Sequence, residues 1–319
     1  MEILFLGTSG TVPTESRNHP ATIIEYLNEP FLFDCGEGTQ RQMRIAKINP
    51  MRINHIFITH FHADHILGLG GLIRSVDFMG REKELDIYAP RGFDRILDNL
   101  MGIGAYIPQR FKINVHEASE GILYRGKNYT VSCIPTDHTG VDSVAYCFCE
   151  NTKRTFLKQK ALDIGVPEGR LFSKLQRGES VEIEVVETET ETENNKNKII
   201  KKIISPEDVL SDPVMGRKVI YTGDTRPCEN VIKISKDCDV LIHDSTFSDE
   251  QEDIEDMGHS TAKQAAEVAK SANAKTLYLT HISQRYHQNP GKLETEARIV
   301  FKNSYLAEDF MRVKVEKHW

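Results

Sequence analysis

Thr59-His60-Phe61-His62-Ala63-Asp64-His65 is the stretch that decides how the rest of this chain is read. It follows the apolar run Ile53–Thr59, which reads as a strand, and precedes Ile66–Phe78, which has helical character despite Gly68, Gly70 and Gly71. Three imidazoles and a carboxylate therefore crowd a strand-to-helix turn. An extended segment sends residues i and i+2 to one side, so His60 and His62 can reach a single metal ion. Asp64 and His65 lie where the backbone changes direction, and can face a second ion. Imidazole with carboxylate suits Zn²⁺ first, with Mn²⁺ or Fe²⁺ as alternatives.

Four ligands do not fill two metal sites, and the chain offers three more. His138 in Pro135-Thr-Asp-His138, Asp224 in Tyr221-Thr-Gly-Asp224 and His281 in Leu277-Tyr-Leu-Thr-His281 each follow an apolar, strand-like run. Side chains at the carboxyl ends of several strands converge on one sheet edge, the usual place for an α/β site. Short strands also read at Ile3–Leu6, Ala21–Leu27, Phe31–Asp34, Leu85–Ala89, Tyr129–Ile134, Ser143–Cys149, Lys218–Thr222, Val240–His243 and Thr276–Leu279. Thr39–Lys47 reads as a helix. So does Thr261–Ala272, whose Ala262, Ala265, Ala266 and Ala269 form a stripe at helical spacing. Strands and helices alternate in both halves, which predicts an α/β chain with helices outside sheets.

Composition bounds the partners. The 319 residues carry a net charge of −7, so any contact with a polyanion must come from local basic patches. No apolar run approaches the roughly 18 residues of a membrane span, and the amino terminus lacks the basic start of a signal peptide. The six cysteines include no C-x-x-C pair, which fits a reduced, cytoplasmic protein. Glu187-Thr-Glu-Thr-Glu-Thr-Glu193 followed by the lysine-rich 196–202 reads as a long β-hairpin turning near Asn194–Asn197, an acidic strand facing a basic one.

His-x-His-x-Asp-His, a lone His, a Gly-Asp and a final His, in this order, resemble the metallo-β-lactamase superfamily. That resemblance implies a four-layer αβ/βα sandwich with two metals at the joint sheet edge. It implies that His60, His62 and His138 hold one zinc, that Asp64, His65 and His281 hold the other, and that Asp224 bridges them. Four further segments resemble the tRNase Z family, which removes the 3′ trailer of precursor tRNA. Pro13-Thr-Glu-Ser-Arg17-Asn18 is similar to its substrate loop, with Glu15 where the family has Lys. Gly258-His259-Ser260-Thr261 is similar to its His-Ser-Thr loop, and His281-Ile-Ser283-Gln-Arg285-Tyr286 to the extension beyond the last ligand. Leu162–Val181 is similar to its protruding arm, with Arg170, Lys174 and Arg177 beside Phe172. Gly70 replaces the family's Pro in the glycine-rich run.

The resemblance implies one metallo-β-lactamase domain over 1–319, an RNA-binding arm at 151–180 and a hairpin insertion at 181–205. It implies two zinc ions per subunit, precursor tRNA as substrate and a homodimer with no membrane attachment. Asp64 would accept a proton from the attacking water and His259 would protonate the departing 3′ oxygen. The products would be a tRNA with a 3′-OH and a trailer with a 5′-phosphate. Arg17, Asn18, Thr261, Ser283, Arg285, Arg170, Lys174 and Arg177 would touch RNA. His55 reads as a strand residue that packs or faces solvent and binds no metal, and His243-Asp244 as support behind the site. His19, His116, His287 and His318 receive no role. Two rivals remain: a dinuclear hydrolase of small phosphodiesters or sulfate esters, and a metal-free RNA-binding relative.

Overall fold

Strand side chains alternate between two hydrophobic layers, and that alternation builds the fold. In Glu2–Gly7, Ile3 and Phe5 point into one apolar cluster and Leu4 and Leu6 into another. In Val240–Asp244, Val240 and Ile242 join the cluster shared with Ile3 and Phe5, while Leu241 points the other way. Two sheets thus bury one face against each other and the opposite face against helices. On one outer side Leu69, Leu72, Ile73 and Val76 of the helix Gly68–Phe78 fill the layer; on the other, the alanine stripe of Ala262–Ser271 does so. Four layers, αβ/βα, result.

The computed structural model describes residues 1–104, 109–188, 197–251 and 257–318. They divide into two compact units, Met1–Asn151 with Arg217–Lys317, and Thr152–Gly216 with His318. In the first unit one sheet runs, in spatial order, Arg312–Lys314, Glu2–Gly7, Ala21–Tyr26, Glu29–Phe33, His55–Phe57, Leu85–Ala89 and Ile113–Glu117. The other runs Ser304–Leu306, Thr276–Thr280, Val240–Asp244, Lys218–Tyr221, Val144–Glu150, Tyr129–Pro135 and Gly121–Arg125. Glu29–Phe33, His55–Phe57 and Leu85–Ala89 are parallel, as are Lys218–Tyr221, Val240–Asp244 and Thr276–Thr280. Among the described residues no helix is long and apolar enough to cross a membrane.

The strand expected over Ile53–Thr59 is only His55–Phe57, because Asn49-Pro50 starts a short 3₁₀ turn ahead of it. The helix expected over Ile66–Phe78 is two, Ala63–Ile66 and Gly68–Phe78, broken at Leu67. His55 packs, as expected, stacking on Phe31 and lying 4.4 Å from the Tyr124 ring.

The second unit folds around Ala161, Val166, Leu175, Val181, Ile183, Ile204 and Val209. It holds the helices Lys158–Asp163 and Arg170–Gln176 and the antiparallel strands Val181–Thr188 and Asn197–Ile204. Glu184 lies opposite Lys201, and Lys201 also pairs diagonally with Glu182 at 2.6 Å. The turn expected near Asn194–Asn197 lies, apart from Asn197, which begins the second strand, outside the described residues.

One buried ion pair closes the first unit. Arg217 donates through Nε to Glu150 at 2.8 Å and through Nη1 to the Val315 carbonyl at 3.0 Å, and Tyr26 donates to Glu150 at 2.8 Å. Burial opposes ionisation of Glu150, but the Arg217 and Tyr26 hydrogen bonds outweigh it and hold its carboxyl down at about 2. Removing one partner strands the other, so Glu150→Ala should cost about 3–5 kcal/mol in denaturant unfolding. In the native protein the contribution is complete above the ordinary value of 4.5 and is lost as pH falls toward about 2. A variant with wild-type stability at neutral pH would contradict this.

Candidate metal centre

The carboxyl ends of the parallel strands in both sheets bring the chemistry together. Asp34 follows Glu29–Phe33, His60 lies three residues past His55–Phe57, Asp224 three past Lys218–Tyr221, and His281 directly follows Thr276–Thr280. His62, Asp64 and His65 lie around the turn into Ala63–Ile66, and His138 lies three residues past Tyr129–Pro135. The ligand atoms of His60, His62, His138 and Asp224 lie within 4.8 Å of one another, as do those of Asp64, His65 and His281. Asp224 also reaches the second group, with Oδ1 3.2 Å from His65 Nε2 and Oδ2 3.2 Å from His281 Nε2. All seven expected metal-binding side chains are therefore in one place.

The hydrogen bonds fix which nitrogen of each ring faces inward. His65 Nδ1 donates to Asp34 at 2.7 Å, and His138 Nδ1 to the Gly258 carbonyl at 2.6 Å. The Thr59 hydroxyl gives its hydrogen to Asp34, so at 3.0 Å it accepts from His60 Nδ1. The Thr246 hydroxyl donates to Asp244, so at 2.7 Å it accepts from His281 Nδ1. Each of these four rings is held through Nδ1 from outside and turns Nε2 to the centre, as an outer shell does for metal-binding histidines, and His138 Nε2 there lies 3.0 Å from His62 Nδ1. His60 Nε2, His65 Nε2 and Asp224 Oδ1 are buried without a hydrogen-bond partner. Unpaired buried polar atoms are costly, and a divalent cation would satisfy all three.

Electrostatics divide the rings. Burial, reinforced by His65, holds the His60 pKa well below the imidazole range. For His65 burial pulls the same way, but the Asp224 and Asp34 carboxylates outweigh it and raise the pKa well above that range, so its Nε2 faces Asp224 with a proton that a bound cation would displace. Asp224 is fully buried, yet His281, His65 and His60 hold it ionised.

Asp244 and His259 stand beside this cluster. The Asp244 oxygens accept from Thr225 N, Thr246 N, Thr246 Oγ1 and His259 Nδ1, so three donors fix the carboxylate and the carboxylate in turn fixes the His259 ring. That ring lies 4.9 Å from His138 and 5.0 Å from His281 between centroids. Burial alone would lower its pKa; Asp244 and Asp224 outweigh this and push it up to about 9.

The expected RNA-contact residues divide. Arg285 is exposed, over the Phe247 ring at 5.6 Å and bonded to Gln251 at 2.7 Å. Asn18 donates from Nδ2 to the Glu37 carbonyl at 2.7 Å, and Ser283 Oγ accepts from Arg285 N at 3.4 Å. Arg17 departs from expectation. It is 7% exposed and donates from Nη1 to Thr8 Oγ1 at 2.6 Å and the Ala307 carbonyl at 2.5 Å, so its guanidinium braces the fold. Thr261 is buried too, because its hydroxyl caps Ala262–Ser271 by accepting from Gln264 N. In the second unit Arg170 and Lys174 are exposed, and Arg177 pairs with Glu179 at 2.9 Å. Phe172 is half-buried and lies 4.8 Å from the Phe156 ring. Sequence reasoning gave Asp34 no part beyond ending the strand Phe31–Asp34 and left the histidine-orienting roles of Thr59 and Thr246 unread. Only the position of each beside a ligand signals its role.

Residues 1–164 match the family described as Anti-Pycsar protein Apyc1, and residues 168–282 match the Beta-lactamase superfamily domain. The chain is 46% identical over 319 residues to Ribonuclease Z of Methanothermobacter thermautotrophicus, covering 100% of this chain and 98% of that one. It is 42% identical over 317 residues to Ribonuclease Z of Methanosarcina mazei, covering 99% and 98%. Among solved structures it is similar to human tRNase Z, short form, with a TM-score of 0.69 and 25% identity over 99% of this chain and 100% of that one.

Asp34→Asn removes the anionic acceptor of His65 and turns an amide N–H toward donors such as Thr59 and Tyr221, so it should cost about 1–3 kcal/mol of stability while the chain still folds. Divalent-metal affinity, read by competition with a chromophoric chelator, should fall about 10–100-fold. Wild-type affinity would show that the Asp34 contact does not orient the ring for metal.

Proposed function

The chain belongs to the ribonuclease Z family, and from that premise we propose how its residues remove the 3′ trailer of precursor tRNA. It is a hydrolase, an endoribonuclease. The observation that carries the reading is the convergence of seven ligand-competent side chains, with Nε2 atoms turned inward, beside a histidine held by its own carboxylate. His60, His62 and His138 would hold one zinc ion, Asp64, His65 and His281 the other, and Asp224 both. Bound there, the ions supply Lewis acidity that activates water and offsets charge building on the phosphoryl group.

The chain's own groups handle the protons. Asp64 accepts one from the water that attacks phosphorus. His259, protonated around neutral pH and fixed through Nδ1 by Asp244, presents Nε2 to the departing 3′ oxygen. The P–O3′ bond breaks, leaving a 3′-OH on the tRNA and the phosphate on the trailer's 5′ end. Arg285, Asn18 and Ser283 would contact RNA near the cut. Arg170, Lys174 and Arg177, a local basic patch in an acidic chain, would hold phosphates of the tRNA body. The family resemblance implies a homodimer in which this second unit serves the partner's substrate.

Zinc-loaded protein incubated with a 3′-extended precursor tRNA should cut once, at the end of the acceptor stem, and His65→Ala should not cut. Absence of a cut alongside turnover of a small phosphodiester would discard tRNA as substrate. His259→Ala should lower kcat by about 10²–10⁴-fold while precursor affinity stays near wild type. Equal losses in both would remove its role as acid. Replacing Arg170, Lys174 and Arg177 together by Ala should raise the precursor KM and flatten its salt dependence, sparing bis(p-nitrophenyl) phosphate. An unchanged KM would remove the patch from recognition.

A further inference from the structure

The loop between Glu2–Gly7 and Ala21–Tyr26 supplies no reacting group to the mechanism above, yet it ends on one that does. The main-chain N–H of Thr11 donates to Asp64 Oδ2 at 2.8 Å, the only backbone donor to that carboxylate among the described residues. The same oxygen lies 3.4 Å from His281 Nε2 and 3.7 Å from His65 Nε2. Thr11 takes φ = 50°, a left-handed conformation that a β-branched residue rarely adopts unless its surroundings impose it. Here His19 Nε2 lies 3.2 Å from the Thr11 carbonyl, and Ser9–Gly10 pairs with Ile282–Ser283 directly after His281.

The base of the loop is tied by one carboxylate. Asp309 accepts from Thr8 Oγ1 at 2.8 Å, Asn18 N at 2.8 Å and Gln42 Nε2 at 2.9 Å. It thereby joins both ends of the loop to the helix Thr39–Ile45. Ser9 N donates to the Asn18 carbonyl at 2.9 Å, closing the base, and buried Arg17 bridges Thr8 Oγ1 to the Ala307 carbonyl. We infer that Asp309 and Arg17 are positioning residues for the reaction: they lock residues 8–18 so that the Thr11 N–H holds the Asp64 carboxylate in its working orientation. This rests on the reading that Asp64 binds metal and accepts a proton, but not on tRNA being the substrate. A carboxylate held by one backbone donor swings when that donor moves, and displacements of about 1 Å are felt strongly in turnover.

Asp309→Asn tests this, because the new amide turns N–H groups toward donors that now meet oxygen. Arg17→Gln tests it independently should the first variant not fold. Both variants should keep the wild-type circular dichroism and lose about tenfold in kcat toward bis(p-nitrophenyl) phosphate and precursor tRNA alike, with KM for the small diester unchanged. Zinc affinity, measured on the isolated protein with a competing chelator, should weaken about tenfold. Arg17→Lys, which keeps a charged donor, should recover part of both losses. If Arg17→Gln instead raises only the precursor KM and leaves the small diester and zinc affinity intact, Arg17 is an RNA contact and the inference falls. Folded variants with wild-type kcat and zinc affinity would also overturn it. Whether wild-type protein cuts precursor tRNA is read separately, so failure of that reading is not confused with failure of this one.

Discussion

The Asp34 carboxylate is the interaction on which the centre depends. It is fully buried where the sheet edges meet, and it accepts from His65 Nδ1, Thr59 N, Thr59 Oγ1 and Tyr221 Oη. Four donors offset the cost of burying the charge. Asp34, Thr59 and His65 come from one sheet's edge and Tyr221 from the other's, so the same carboxylate joins the two sheets and aims His65 at Asp224. Through the Thr59 hydroxyl it also sets the His60 ring. Packing and chemistry share an anchor.

Backbone conformation around the centre bears the same mark. Asp34 and His281 both take positive φ, 55° and 61°, where non-glycine residues are uncommon. Gly223, at φ 59°, precedes Asp224, and a Cβ there would lie 2.6 Å from the Thr59 side chain. The Gly-Asp dipeptide is thus a steric requirement: only glycine lets the second sheet's strand end approach closely enough to place Asp224 among ligands from the first. Strained residues gathered at one point are sustained by the three hydrophobic layers around it.

Much of this was legible in the sequence. His60 to His65 declared a metal site by density alone, and His138, Asp224 and His281 followed because each trails an apolar strand. The alanine stripe at 262–269 and the helical leucines and isoleucines of Gly68–Phe78 announced the outer layers through spacing. Arg17 and Thr261 were misread for a common reason. A polar residue in a motif looks available to a ligand, and only three dimensions reveal that an Ala307 carbonyl or a helix end has already claimed it. Asp34, Thr246 and Asp309 were not legible as orienting residues, because their partners lie far away in sequence: 309 meets 8, 18 and 42.

The central claim is that a single carboxylate, Asp224, serves two metal ions held by two triads. Zinc content after exhaustive dialysis, with isothermal titration of the stripped protein, addresses it directly. The account predicts two equivalents per chain in the wild type, and loss or severe weakening of both in Asp224→Asn. A single equivalent in the wild type, or an Asp224→Asn variant that retains one full-affinity ion, would contradict it.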